Sequence, residues 1–210
     1  MPMFSEDQWI DWVDRLAQDD YTIIDDFISE SLYQDIRAFL RRQQEEEEFA
    51  KAGIGTMGDY QIKTSVRGDF VYWLDTKRDQ ELTPFFELAQ EMIATLNRYC
   101  YLSLSGSEFH LAYYPPGAFY HRHLDQFRER NNRLISVVLY LNEGWQPGDG
   151  GELKIFRPDG NDVLCEPLAR RCILFKSDVV EHEVLLTHTD RYSLTGWLLY
   201  QPASLGYLLA

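Results

Sequence analysis

From about residue 107 to residue 200 the chain is a series of short β-rich runs broken by turns: "EFHLAYY", "RLISVVLYLN", "GELKIF", "RCILFK", "HEVLLTH" and "RYSLTGWLLY". β-Branched and aromatic residues in runs of this length suit the strands of a pleated sheet. The upstream part reads differently. Ser5 and Gln8 form a capping box ahead of Trp9, Ile10, Trp12, Val13 and Leu16 at helical spacing. "YTIIDDFI" reads as a short strand, after which Ser31 and Gln34 repeat the capping pattern before Leu32, Ile36, Phe39 and Leu40. In the continuation "RRQQEEEEF", Arg41 can pair with Glu45 and Arg42 with Glu46, as on a solvated helical face. The glycine-rich "AGIGTMGDY" reads as a loop. Thr83 and Pro84 give an N-cap and first-turn signature for a third helix, buried through Phe85, Phe86, Leu88, Ala89, Met92, Ile93 and Leu96 and ending near Tyr99. Helices followed by strands predict an α+β, mainly β chain: a sandwich or barrel buttressed by helices.

With 210 residues and 45% hydrophobic content, one sizeable core and a single domain over 1–210 are expected. The formal net charge is −14, and residues 1–50 hold 14 acids against 4 bases, so the acidity is concentrated at the start. A chain without a basic stripe is a poor binder of phosphate backbones, which argues against a nucleic-acid partner. Cys100, Cys165 and Cys172 are odd in number and lack CxxC spacing, suggesting neither a disulfide framework nor a cysteine zinc site. The start lacks the basic and apolar segments of a signal peptide, and no apolar run approaches a membrane span. A cytoplasmic protein without a membrane partner is the expectation.

Two of the five histidines stand in "YHRHLDQF", where His121, His123 and Asp125 alternate. On an extended strand such positions share a face, which makes them a candidate metal half-site. An HxD pair completed by a distant histidine on another strand is how a 2-His-1-carboxylate facial triad is assembled. His182 suits the distant position better than His188, because it heads "HEVLLTH" after the turn-like "KSDVVE" and Arg191 follows nine residues later. An antiparallel neighbour strand can return that arginine to the metal. Its planar fork is a bidentate partner for a carboxylate, to which Tyr140 can add a hydroxyl. Metal ligands beside a carboxylate anchor suggest a keto-acid cosubstrate. His110 and His188 read as ordinary surface or hydrogen-bonded histidines.

These stretches resemble the 2-oxoglutarate- and Fe(II)-dependent dioxygenases of the prolyl 4-hydroxylase type, and most of all the bacterial relatives of the prolyl hydroxylases that act on hypoxia-inducible factor. The resemblance runs in order through "SVRGDFVYWLD", "YYPPGAFYHRHLD", "RLISVVLYLN", "GGELKIF" and "HEVLLTHTDRYSLTGWLL", roughly residues 60 to 200. It implies a double-stranded β-helix (jelly-roll) core over 105–200, with 1–100 as helical support carrying a substrate-loop segment at about 60–75. It makes His123, Asp125 and His182 the iron ligands and assigns the distal carboxylate of 2-oxoglutarate to Arg191 and Tyr140. Tyr114 would approach the other end of the cosubstrate, with Tyr113 open because the turn after it is one residue shorter than in relatives. His121 would lie at the rim. Arg133 and Trp197 match positions at the active-site mouth, where surface charge and strand packing are the plainer alternatives. Arg67, Asp69 and Trp73 match a substrate-loop set; an Arg-Asp pair stiffening a turn is the plainer reading there, and a strand tryptophan is by default core.

The implied cofactors are Fe(II), 2-oxoglutarate and O2, with ascorbate as an added reductant. The implied reaction is hydroxylation of a prolyl residue in a protein to 4-hydroxyproline, with succinate and CO2 released. Bacterial members of the subgroup point to elongation factor Tu as a partner. The rivals are a hydroxylase of a free amino acid or other small molecule, a non-catalytic β-barrel binding module, and a zinc hydrolase, which would leave the carboxylate-binding arginine unexplained.

Overall fold

The structure is a computed structural model that describes residues 4–52, 67–126 and 132–200. The first half holds α1 (Glu6–Asp19), β1 (Tyr21–Ile24), α2 (Glu30–Glu45), β2 (Ala50–Lys51), β3 (Phe70–Trp73), a 3-10 turn (Gln80–Leu82) and α3 (Thr83–Cys100). Eight strands follow: β4 (Leu104–Tyr114), β5 (Tyr120–His123), β6 (Arg133–Tyr140), β7 (Leu153–Ile155), β8 (Val163–Cys165), β9 (Cys172–Lys176), β10 (His182–Val184) and β11 (Arg191–Tyr200). They form a seven-stranded sheet, β1-β9-β6-β11-β4-β3-β2, and a four-stranded sheet, β5-β10-β7-β8. All their pairings are antiparallel. From β4 onward the chain passes back and forth between the two sheets, which is the winding of a double-stranded β-helix.

Side-chain alternation divides the core in two. Phe109 and Leu111 of β4, Ile135, Val137 and Leu139 of β6, Leu174 of β9, and Leu194 and Leu198 of β11 pack on the helices. The intervening residues Ala112, Tyr114, Val138, Tyr140, Ile173 and Phe175 face the small sheet and its Leu153, Ile155 and Val184. A strand buried on both faces reads as a nearly continuous apolar run, which is why "RLISVVLYLN" shows no clean alternation. The helices supply the outer cover: Trp9, Trp12, Leu16, Leu32, Ile36, Phe85, Met92 and Leu96 are all buried in the first cluster. Among the described residues no helix is long and apolar enough to cross a membrane.

Local details differ from the sequence reading. The capping box at Ser5 and Gln8 is present, but the second helix is capped by Ser29, whose hydroxyl accepts from the Leu32 amide at 3.2 Å. Ser31 already lies inside the first turn. Thr83 caps nothing; its hydroxyl donates to the Gln80 carbonyl at 2.6 Å, because the 3-10 turn runs directly into α3. Arg41 and Arg42 reach Glu143 and Glu81 outside α2 instead, and Glu46, the expected partner of Arg42, is already the C-cap of the helix. The short β2 and β8 fall outside the runs read as strands, and the "AGIGTMGDY" loop lies outside the described residues beyond Ala52.

One glycine sets the spacing between helix layer and sheet. A Cβ on Gly196 of β11 would stand 2.2 Å from Phe109 Cδ1 and 2.3 Å from the Glu108 carbonyl oxygen. Phe109 in turn packs edge-on against Phe85 of α3, with ring centroids 4.9 Å apart. Gly196→Ala should therefore overpack this interface and lower stability by roughly 1–3 kcal/mol, seen as a lower urea midpoint at unchanged slope. An unchanged midpoint would show that the contact is not limiting.

Candidate active site

The pairing of β5 with β10 sets His123 directly opposite His182, and their ring centroids lie 4.3 Å apart. Asp125 lies two residues past the end of β5, in a bend. Its Oδ1 stands 3.4 Å from His123 Nε2 and 3.7 Å from His182 Nε2. One ligating atom from each of the three lies within 4.8 Å of the others. Two imidazoles and one carboxylate converging this closely can hold one cation and leave its other positions open.

The surroundings fix which atoms face that point. His123 Nδ1 is 2.7 Å from the His121 carbonyl oxygen and His182 Nδ1 is 3.1 Å from that of Val180. With each Nδ1–H donating to a carbonyl, each Nε2 keeps its lone pair for the centre. The Ser136 hydroxyl donates to Asp125 Oδ2 at 2.7 Å and lies 2.9 Å from the Ser177 hydroxyl, so Oδ1 alone is left to ligate. Burial pushes His182 down to about 4, which keeps it neutral. Burial pushes the Asp125 carboxyl up, but its contacts with His182, His123 and Ser136 outweigh that and hold it well below the usual carboxylate range. An ionised carboxylate beside a neutral imidazole is the ligating protonation state. Ser136 and Ser177 were missed in the sequence, where each is one hydroxyl among apolar or mixed neighbours.

His121 does not join them. Asp125 is off the strand, so the three residues do not share one extended face; the His121 side chain is exposed against Phe119, with centroids 4.6 Å apart. Only its backbone carbonyl contributes.

A cavity of about 130 Å³ opens beside the three ligating residues and reaches Arg191. Arg191 is 2% exposed and stands opposite Tyr114 in the β11–β4 register. Its guanidinium carbon lies 4.9 Å from the Tyr114 ring centre and 5.2 Å from that of Tyr140. Nε donates to the Gly151 carbonyl at 2.7 Å. Gly151 has φ +76° and a Cβ there would come 2.7 Å from Arg191 Cδ, so only glycine allows this approach. Among the described residues Arg191 Nη2 and the Tyr140 hydroxyl are buried without a hydrogen-bond partner. Two unpaired polar groups beside each other in a core call for an absent acceptor, and a carboxylate fits both. Tyr114 is buried on the cavity wall, whereas the Tyr113 hydroxyl donates to Asp190 at 2.8 Å on the other face of β4.

At the mouth, Arg67 pairs with the fully buried Asp69, its Nε 2.6 Å from Oδ1, and lies 4.5 Å over the Tyr120 ring. Residues 60–66 of the anticipated substrate loop lie outside the described residues. Trp73 is 49% exposed, contrary to the core default for a strand tryptophan. The Arg133 guanidinium sits 3.4 Å over the Trp197 ring and bonds Glu108 at 2.8 Å. His110, read as ordinary from sequence, lines this same cavity, as do Arg67, Trp73, Arg133 and Trp197. His188 does not line it.

Residues 109–199 match the family model of the 2OG-Fe(II) oxygenase superfamily. Among solved structures, a Pseudomonas putida prolyl-4-hydroxylase superimposes with a TM-score of 0.84 at 36% identity, over 92% of this chain and 100% of that one. A Trichoplax adhaerens prolyl hydroxylase in complex with a hypoxia inducible factor peptide fragment gives 0.82 at 21% identity, over 100% and 99%. A structure of prolyl 4-hydroxylases from Phytophthora capsici gives 0.73 at 26%, over 90% and 61%.

The support around Asp125 yields a test. Ser136→Ala frees Oδ2 and loosens the carboxylate, so affinity for Mn(II), measured by titration calorimetry, should fall about 10–100-fold. Unchanged affinity would show that Asp125 is held without Ser136.

Proposed function

Because this chain belongs to the 2OG-Fe(II) oxygenase superfamily, and within it to the prolyl 4-hydroxylase type, we propose that it hydroxylates C4 of a prolyl residue in a protein. It is an Fe(II)- and 2-oxoglutarate-dependent dioxygenase, using O2. We assign His123, Asp125 and His182 as the iron ligands. The observation that carries this assignment is the unpaired Arg191 Nη2 and Tyr140 hydroxyl lying behind the three converging ligands.

In this assignment Arg191 and Tyr140 receive the distal carboxylate of 2-oxoglutarate, while Tyr114 forms the wall beside it. When bound, the iron and cosubstrate supply the oxidative chemistry: O2 and 2-oxoglutarate become succinate and CO2, and one oxygen atom enters the substrate C–H bond. The chain's own residues position and exclude water. Ser136 orients Asp125, the two carbonyls orient the imidazoles, and Arg67, held by Asp69, covers the mouth against Tyr120. Arg133, Trp197, Trp73 and Arg67 with Asp69 are assigned to substrate binding.

A protein substrate is favoured by the rim. Trp73 at 49% and Leu124 at 37% exposure are large apolar side chains on the cavity border, suited to a polypeptide passing over it. The Trichoplax adhaerens relative holds a peptide fragment of a protein. Elongation factor Tu is one named candidate among bacterial proteins.

His123→Ala, Asp125→Ala and His182→Ala should each abolish 2-oxoglutarate turnover, and Arg191→Lys should weaken 2-oxoglutarate binding about tenfold. Turnover surviving in His123→Ala would refute the ligand assignment. For the substrate, bacterial lysate protein is incubated with enzyme, Fe(II), 2-oxoglutarate and O2 and searched by mass spectrometry for prolines heavier by about 16 Da, one oxygen atom. Arg67→Ala would strand a buried carboxylate and risk the fold, so the exposed Trp73→Ala is the better probe. It should lose most protein hydroxylation while binding 2-oxoglutarate normally. Turnover of free L-proline that matches any protein, with no effect of Trp73→Ala, would favour a small-molecule substrate instead.

A further inference from the structure

His110 has no part in the chemistry assigned above. It lies on β4, opposite Trp73 of β3 and Thr195 of β11. Its ring sits near two indoles, 4.9 Å from that of Trp73 and 5.5 Å from that of Trp197. It is 4% exposed on the cavity wall, and among the described residues its Nδ1 has no hydrogen-bond partner. Trp197 Nε1, two residues along β11 from Thr195 and so a diagonal neighbour of His110, is also buried and unpaired. Arg191 excepted, no other cavity-lining side chain leaves a buried nitrogen or oxygen unpaired among the described residues.

Buried ring nitrogens in native cores nearly always have a partner, so two unpaired neighbours on one wall point to a partner that arrives with the substrate. The indole can only donate, and a neutral imidazole donates from one nitrogen. Burial pushes His110 down to about 3, so it carries no charge that would demand an anion. With the imidazole proton on Nδ1, both rings are donors and one neutral acceptor serves them both. A prolyl residue has no amide N–H, and the groups its segment offers are main-chain carbonyls, each with two lone pairs.

We propose that His110 and Trp197 form a donor pair that receives one main-chain carbonyl oxygen of the polypeptide beside the target proline. This rests on the protein-prolyl reading above. The pair positions the chain through a contact that any residue side chain permits, so it selects an extended segment and not a sequence.

The test uses the Fe(II)-loaded enzyme and a pool of end-capped pentapeptides with a central proline and randomised flanks, followed by mass spectrometry. His110→Leu and Trp197→Phe should each raise KM for the pool by about tenfold, the loss of one hydrogen bond, with kcat little changed. Because both donors share one acceptor, the double variant should be far from additive. His110→Asn, which restores a side-chain N–H near the Nδ1 position, should recover much of the loss, which a merely structural role would not. If wild type hydroxylates the pool and His110→Leu leaves KM unchanged, the donor pair is refuted while the prolyl reading stands. If wild type hydroxylates neither the pool nor any lysate protein although 2-oxoglutarate binds, the protein-prolyl reading falls and the pair with it; if it hydroxylates lysate protein but not the pool, a contact open to any extended segment is overturned while that reading stands. If His110→Leu weakens 2-oxoglutarate binding as much as it raises KM, His110 serves the cosubstrate and the proposal is overturned.

Discussion

The alternation of β4, β6, β9 and β11 between two buried faces governs everything built on them. One face carries Phe109, Leu111, Val137, Leu139, Leu194 and Leu198 into the helix layer. The other carries Tyr114, Ser136, Tyr140, Ser193 and Arg191 into the space between the sheets. A register slip of one residue would exchange the two sets. It would expose apolar side chains worth roughly 1.5–3 kcal/mol each to polar surroundings and drive an arginine into a hydrocarbon core, so the register is pinned by both penalties together.

Within that frame the polar groups are arranged by what each leaves unpaired. Asp125 gives one oxygen to Ser136, and His123 and His182 each give one nitrogen to a carbonyl. The remaining atoms of all three face one another. Farther in, Arg191 spends Nε on Gly151, and its Nη2 and the Tyr140 hydroxyl are buried without a hydrogen-bond partner among the described residues. Unsatisfied buried groups are costly, so their concentration along one cavity marks where ligands complete the structure.

Much of this was legible from residue types and spacing. The strand-rich second half, the HxD pair, the distant histidine and the arginine nine residues beyond it are all periodic or compositional signals, and the jelly-roll winding accommodates them. What could not be read depends on pairing across the chain. Ser136 meets Asp125 only because β6 crosses beneath the bend after β5, and nothing in "RLISVVLYLN" distinguishes that serine. The choice between Tyr113 and Tyr114 needed the β4 register, which sends the first to Asp190 and the second to Arg191. Trp73 and His110 exchanged expectations, the tryptophan opening to solvent and the histidine lying buried with its Nδ1 unpaired among the described residues, because exposure at a sheet margin depends on which neighbour covers it.

The central claim is that one metal ion sits among His123, Asp125 and His182 with the cosubstrate carboxylate reaching Arg191. Anomalous diffraction from crystals grown anaerobically with Mn(II) and 2-oxoglutarate tests it directly. A single strong peak bonded to His123 Nε2, His182 Nε2 and Asp125 Oδ1, with the distal carboxylate on Arg191 Nη2 and the Tyr140 hydroxyl, is the predicted result. A peak held by His121, or a cosubstrate whose distal carboxylate lies away from Arg191, would contradict it.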